Sequence, residues 1–148
     1  MLSFVVFDAE GVDAAHFPPR HAYLVGTDEI PTQGTVTLGS GLVGCDPSQA
    51  QTAGLAVQMP LARPDGSGSL GLMTIQTCLL PSRERPYLLT IELARHRTML
   101  FLNKLEDWGL MADIPGDHPV MLQFEEARRS FTRALVGQRD TDGEVRSG

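Results

Sequence analysis

The period of the apolar residues changes once along the chain, near residue 81, and that change sets the fold class. Before it, apolar residues alternate with polar ones or form short runs closed by Gly, Pro, Asp and Ser. A period of two belongs to strands. After it, apolar residues recur every three or four positions through stretches with few Gly or Pro interruptions. That is the period of helices. Strands first and helices last predicts an α+β chain, in which helices segregate from an antiparallel sheet.

Within the first part, residues 2–8 are apolar on both faces, as in a strand buried on both sides. Residues 8–13 and then Pro18 and Pro19 break the pattern before a short apolar run at 22–26. Residues 34–38 alternate, with Val36 and Leu38 on one face and Thr35 and Thr37 on the other. Gly39-Ser40-Gly41 turns the chain into a return strand at 42–45. Leu55, Val57 and Met59 share one face of the next strand; Met73, Ile75 and Leu79 share one face of the strand after it. Between them lies a strong turn signal, Arg63-Pro64-Asp65-Gly66-Ser67-Gly68-Ser69. Connections this short cannot carry parallel crossovers. The expected N-terminal part is therefore an antiparallel β-sandwich, jelly-roll-like, or a partly closed barrel.

In the second part, Ser82 is a candidate cap and Pro86 suits a first helical turn. A helix from Tyr87 to about Asp107 would be roughly 32 Å long. Leu89, Leu93, Leu100 and Trp108 fall near one stripe, and Gly109 is a plausible stop. Asp117 is the candidate cap of a second helix and Pro119 fits its first turn. Val120, Phe124, Ala127, Phe131 and Leu135 give that helix an apolar stripe, and Glu125 and Arg129 an i,i+4 pair. With 148 residues, the expectation is a single domain over 1–136, β-rich over 1–80 with two helices over 81–136, and a flexible tail or linker over 137–148.

Charge narrows the partners. The formal net charge is −6, the wrong sign for a nucleic-acid binder, which begins from a basic surface. Eleven of the twelve cations are Arg, and ten of the twelve follow residue 80. Arg suits fixed, partly buried pairing, so residues 81–97, with Arg83, Arg85 and Arg95, form a candidate interaction face. The bland alternative is a capped helix with a salt-bridged surface. No run reaches the ~20 apolar residues of a membrane span. The start of the chain has no basic segment and no small-residue cleavage site, so the expected location is cytoplasmic, or secreted only if a leader is missing. Cys45 and Cys78 sit in apolar runs and are expected as reduced core thiols.

Motifs of chemistry are thin. Gly66-Ser67-Gly68-Ser69-Leu70-Gly71 matches the dinucleotide fingerprint in letters, but a strand follows it where that fingerprint needs a helix. The four histidines form no metal-ligand pair, and His96 lies four residues after Glu92, an ordinary helix pair. GxSxG is absent and neither Cys has an activating neighbour in sequence. The expectation is no catalytic residue, no metal and no cofactor.

One resemblance adds to this reading. Arg85-Pro86-Tyr87-Leu88-Leu89, Glu92-Leu93-Ala94-Arg95 and Glu106-Asp107-Trp108-Gly109-Leu110, with the opening strand and Tyr23-Leu24-Val25-Gly26, resemble the non-catalytic region that precedes the catalytic barrel in some bacterial family 10 glycoside hydrolases. The similarity spans about residues 1–136. The barrel and its glutamates would follow such a region, so it implies no catalytic residue here. What it implies is an accessory domain, whose partners would be a polysaccharide or a following catalytic domain. Trp108 and Tyr87 are then the candidate sugar-contacting residues. The alternative is a self-association or protein-interaction scaffold, a homo-oligomer with no sugar binding; a hydrolase in its own right ranks below both.

Overall fold

The computed structural model describes residues 1–6, 20–39, 41–48, 52–63 and 65–144, without the side chains of Arg20, Ala62 and 138–144. The predicted break at 8–13, His16, Pro18, Pro19, Ser40 and Pro64 lie outside the described residues. Among the described residues, eight strands come first: β1 (Leu2–Val5), β2 (Arg20–Val25), β3 (Gly34–Leu38), β4 (Leu42–Pro47), β5 (Thr52–Ala62), β6 (Ser69–Gln76), β7 (Leu80–Pro81) and β8 (Tyr87–Leu88). Two helices follow, α1 (Leu89–Asp107) and α2 (Pro119–Glu144). The α+β expectation holds at this level. Among the described residues, no helix is long and apolar enough to cross a membrane.

The strands form two sheets, ordered β3-β4-β1-β8 and β2-β5-β6, with β7 also on β5. Every named pair is antiparallel except β1–β8, where Phe4 and Val5 run parallel to Tyr87 and Leu88. The predicted hairpin over 34–45 is present as β3–β4, with Leu38 opposite Val43. The glycine-rich run is a hairpin connection between β5 and β6, in which Arg63 N–H donates to Gly68 O at 2.9 Å. Asp65 Oδ1 accepts from Ser67 N–H and Oγ, and these bonds hold its carboxyl below the usual range.

Leu2, Phe4, Val43 and Cys45 from one sheet and Leu24, Leu55 and Val57 from the other join one buried cluster with Tyr87, Leu89 and Leu93. Each fully buried large side chain contributes about 1.5–3 kcal/mol before entropy is counted. The two sheets therefore share a core.

Two details of β5 fix which way its neighbours point. Between β6 and β7 the register slips by one residue, from Ala56↔Gln76 to Ala53↔Leu80. Thr77 sits at the slip, 2% exposed. Its N–H donates to Leu55 O and its Oγ1 accepts from Leu55 N–H, both at 3.0 Å. The hydroxyl thus stands in for the carbonyl that the bulge turns away. The second detail is Pro60, which lies opposite Leu72. Proline has no N–H, so it is tolerated only where the backbone groups point away from the partner strand. Antiparallel alternation then turns the N–H and C=O of Leu72 away from β5 as well. The bonds at Thr77, five positions on, fit that alternation.

The chain divides into two compact units, Met1–Leu93 and Ala94–Gly148, where length alone predicts one domain. In the second unit, Phe101 and Phe124 stack with ring centroids 4.8 Å apart, and Leu105 is buried. A Schellman motif ends α1: Gly109, at φ 65°, donates to Glu106 O and Leu110 donates to Leu105 O.

Three boundaries differ from the sequence reading. Tyr87 and Leu88 belong to a strand, because they pair with β1, and the helix starts at Leu89. The first turn of α2 is capped by His118, whose Nδ1 accepts from Val120 N–H at 3.2 Å, and not by Asp117. Helical backbone runs on to Glu144, into the segment predicted as tail.

Candidate functional site

The most specific side-chain arrangement in the first unit lies on the chain from Pro81 to Tyr87. Two prolines and a short strand force this segment to fold back on itself. Arg83 fills the bend: its Nε donates to Arg85 O at 2.7 Å and its Nη2 to Pro86 O at 3.1 Å. Its guanidinium carbon lies 3.4 Å from the centroid of the Tyr87 ring. The ring in turn sits 5.9 Å from that of Phe4, and the Tyr87 hydroxyl donates to Pro81 O at 3.0 Å. Tyr87 is only 7% exposed. Arg83 and Tyr87 therefore hold the bend and fasten β8 to β1.

The other candidates are spread between the units. Arg85 is exposed in the first unit, and its carbonyl is one of the two that Arg83 holds. Arg95, in the second unit, lies with its guanidinium 5.6 Å from the centroid of Phe131. Trp108, also in the second unit, is 68% exposed at the end of α1. Lys104 Nζ stands 6.0 Å from its ring centroid and pairs weakly with Asp107 at 4.0 Å. The two candidate sugar-contacting residues are thus a core-facing tyrosine in one unit and an open indole in the other.

Sequence reasoning missed a groove in the second unit. A space of about 280 Å³ opens between α1 and α2, lined by Arg97, Thr98, Phe101, Val120, Gln123, Phe124 and Ala127. The signal was present in the stripe Val120–Phe124–Ala127–Phe131–Leu135, but a stripe does not say how much of itself its neighbour covers. No α2 side chain among those described is buried. Val120, Leu122 and Val136 on α2 are exposed large apolar residues. The charges on α2 pair at i,i+3, Glu125 with Arg128 at 2.8 Å and Glu126 with Arg129 at 3.3 Å, in place of the expected Glu125–Arg129 pair. The Arg128 hydrogen bond holds the Glu125 carboxyl below its usual range.

Among the described residues, the buried polar side chains are Ser3, Thr77, Glu92 and His96. Glu92 and His96, expected as an i,i+4 helix pair, are both buried on α1. Neither Cys45 nor Cys78 is in a disulfide, and burial pushes the Cys45 thiol up to about 11. At neutral pH such a thiol is almost wholly protonated and a poor nucleophile. Among the described residues, no group of three or more His, Cys, Asp or Glu is placed to hold a metal ion.

Comparison with known proteins found no match: no family model, no curated protein and no solved structure is similar enough to this chain to carry a relationship. Among the described residues, the apolar groove of the second unit and the open indole of Trp108 are the surface features that stand out.

Proposed function

We propose that the chain is a non-catalytic interaction domain, a sandwich-like β scaffold carrying a helical hairpin that self-associates. The observation that carries this reading is that α2 has an apolar stripe and no buried described side chain. An amphipathic helix gains its stability by burying that stripe. In this hairpin Val120 and Ala127 stay exposed and Phe124, Phe131 and Leu135 only half-buried, and two hairpins facing each other make a four-helix bundle with two-fold symmetry. A second copy suits the groove better than a strongly charged partner does. The charges along α2 are mixed, with Glu125 and Glu126 followed by Arg128, Arg129 and Arg133, so an antiparallel copy sets acid against base.

Sedimentation of the full chain over a wide concentration range tests this. The mass should rise from monomer to dimer, and Ala127→Arg, which adds a second cation to a groove already lined by Arg97, should return it to monomer. A wild-type monomer at every concentration overturns the reading.

The open indole of Trp108 favours a second reading, in which the accessory domain implied by the glycoside-hydrolase resemblance contacts a polysaccharide. Apolar sugar faces stack on exposed aromatic rings, and Trp108 offers one at a fixed helix end. Calorimetry with xylan oligosaccharides should then show saturable heat that Trp108→Ala removes without unfolding the chain. Silence across xylan, cellulose and mannan eliminates it.

A further inference from the structure

We propose that α2 packs antiparallel on α2 of a second copy about a two-fold axis between Arg128 and Arg129, with Arg133 of each copy against Glu126 of the other. This rests on the self-association argued above and adds its orientation and register.

α2 carries two rows of residues that differ in what they meet. Phe124 and Phe131 are half-buried and belong to the hairpin: Phe124 stacks on Phe101, and the guanidinium of Arg95 lies over Phe131. Beside them runs a second row, Val120, Gln123, Ala127, Ser130, Ala134 and Gly137, and every one of these is exposed. Its steps alternate between three and four residues, which is the seam of a coiled coil. From Ala127 onward the row holds only Ala, Ser and Gly. Side chains that small let two helix axes approach to about 8 Å.

Charge selects the occupant and its direction. Arg128 and Arg129 are paired within the helix, with Glu125 and Glu126, whereas Arg133 meets no carboxylate among the described residues. Glu126 and Arg133 each stand one position before a seam residue, Ala127 and Ala134, so they share one flank of the seam. Charges beside the seam set partner choice and orientation in coiled coils. In an antiparallel pair this flank meets its own counterpart. Placing Ala127 opposite Ser130 of the other copy then brings Glu126 to Arg133, twice by symmetry. Sliding the helices by one heptad destroys this: in one direction Glu126 meets its own image, in the other Arg133 does. A parallel copy sets Glu126 beside Phe131, with no cation opposite. The acid and the base complement each other across a two-fold axis, which is why the occupant is a second copy of this chain. A seam of small residues buries little apolar surface, so the dimer is weak and concentration-dependent.

Sedimentation of the full chain from about 1 μM to about 1 mM spans the range of weak pairs. Four forms are compared: wild type, Arg133→Glu, Glu126→Arg, and the two substitutions together. Either reversal alone should weaken the dimer by about tenfold or more, and the double exchange should restore it to within about threefold of wild type. A dimer indifferent to the single reversals, or not restored by the double exchange, overturns the register and leaves self-association standing. A wild-type monomer at every concentration overturns both. Orientation has its own readout in oxidative cross-linking, with the wild type, carrying Cys45 and Cys78, as background. Ser130→Cys should cross-link, because its two copies lie about three residues, ~4.5 Å, apart along the helix axis. Val120→Cys should not, because its copies lie about 17 residues, ~25 Å, apart. Cross-linking at Val120, which a parallel pair requires, or none at Ser130 also overturns the proposal.

Discussion

Replacing Thr77 separates a hydrogen-bonding role from a packing role by the sign of one difference. Thr77→Val keeps the shape and removes the oxygen. Leu55 N–H, buried at 3.0 Å from that oxygen, then has no acceptor. An unsatisfied buried donor costs about 1–3 kcal/mol. The Oγ1 donation to Cys78 O at 2.8 Å is lost as well, for a total of about 2–3 kcal/mol. Thr77→Ser keeps both bonds and loses one methyl group, about 1 kcal/mol. The valine variant should therefore be the less stable by at least about 1 kcal/mol. Apolar burial alone predicts the reverse order. Urea unfolding measures the difference: with a slope near 1.5 kcal/mol/M, the valine midpoint should fall by about 1.5 M and the serine midpoint by about half as much. Far-ultraviolet circular dichroism is the proper probe, since Trp108 lies in the other unit and is already open to water. Exchange of the Leu55 amide should accelerate in the valine variant. A valine variant as stable as the serine one would refute the claim that the hydroxyl completes the ladder at the bulge.

Three further outcomes are expected. Arg83→Ala should lower stability by about 1–2 kcal/mol, and Arg83→Lys should recover less than half of that, because an ammonium cannot both stack on Tyr87 and reach two carbonyls; thermal melts of the three proteins decide it. Cys45 ionises near 11 in the fold against an ordinary value of 9.0, so its stabilising effect is complete below pH 9 and fades as pH rises from 9 to 11. Relative to Cys45→Ala, the wild type should lose about 2–3 kcal/mol over that window, measured by unfolding at each pH, and a constant difference would contradict it. Gly109→Ala should cost about 1 kcal/mol from backbone strain alone, since at φ 65° nothing lies within 4 Å of the added carbon; calorimetric melting of the variant measures it.

The β part was legible where local chemistry decides. The alternation over 34–38 and the Gly-rich turns placed β3–β4 and β5–β6, and even the facing of Val57 and Met59 with Ile75 and Met73 follows from it. Gly109 marked the end of α1 because only a left-handed residue completes that turn. What the sequence could not show depends on partners far along the chain. Tyr87 looks like helix because its neighbours are helical; only Phe4, more than eighty residues earlier, makes it strand. His118 displaces Asp117 as cap through a one-residue shift that either side chain would tolerate. Arg83 belongs to an arginine-rich run, and its stacking on Tyr87 needs a backbone fold-back that no periodicity encodes. The groove was half legible: the stripe on α2 is in the sequence, and its incomplete cover is a property of a two-helix hairpin.

The parallel pairing of β1 with β8 has a consequence for synthesis. Leu2 and Phe4 are fully buried, yet the strand that carries them finds its parallel neighbour only after Tyr87 has been made. At ~5–20 residues per second, the first strand waits several seconds for the last one. During that interval its apolar face is a client for whatever binds nascent chains. A ribosome stalled before Tyr87 should hold a sheet that lacks this edge, while one stalled well past Leu93 should hold a first unit able to close.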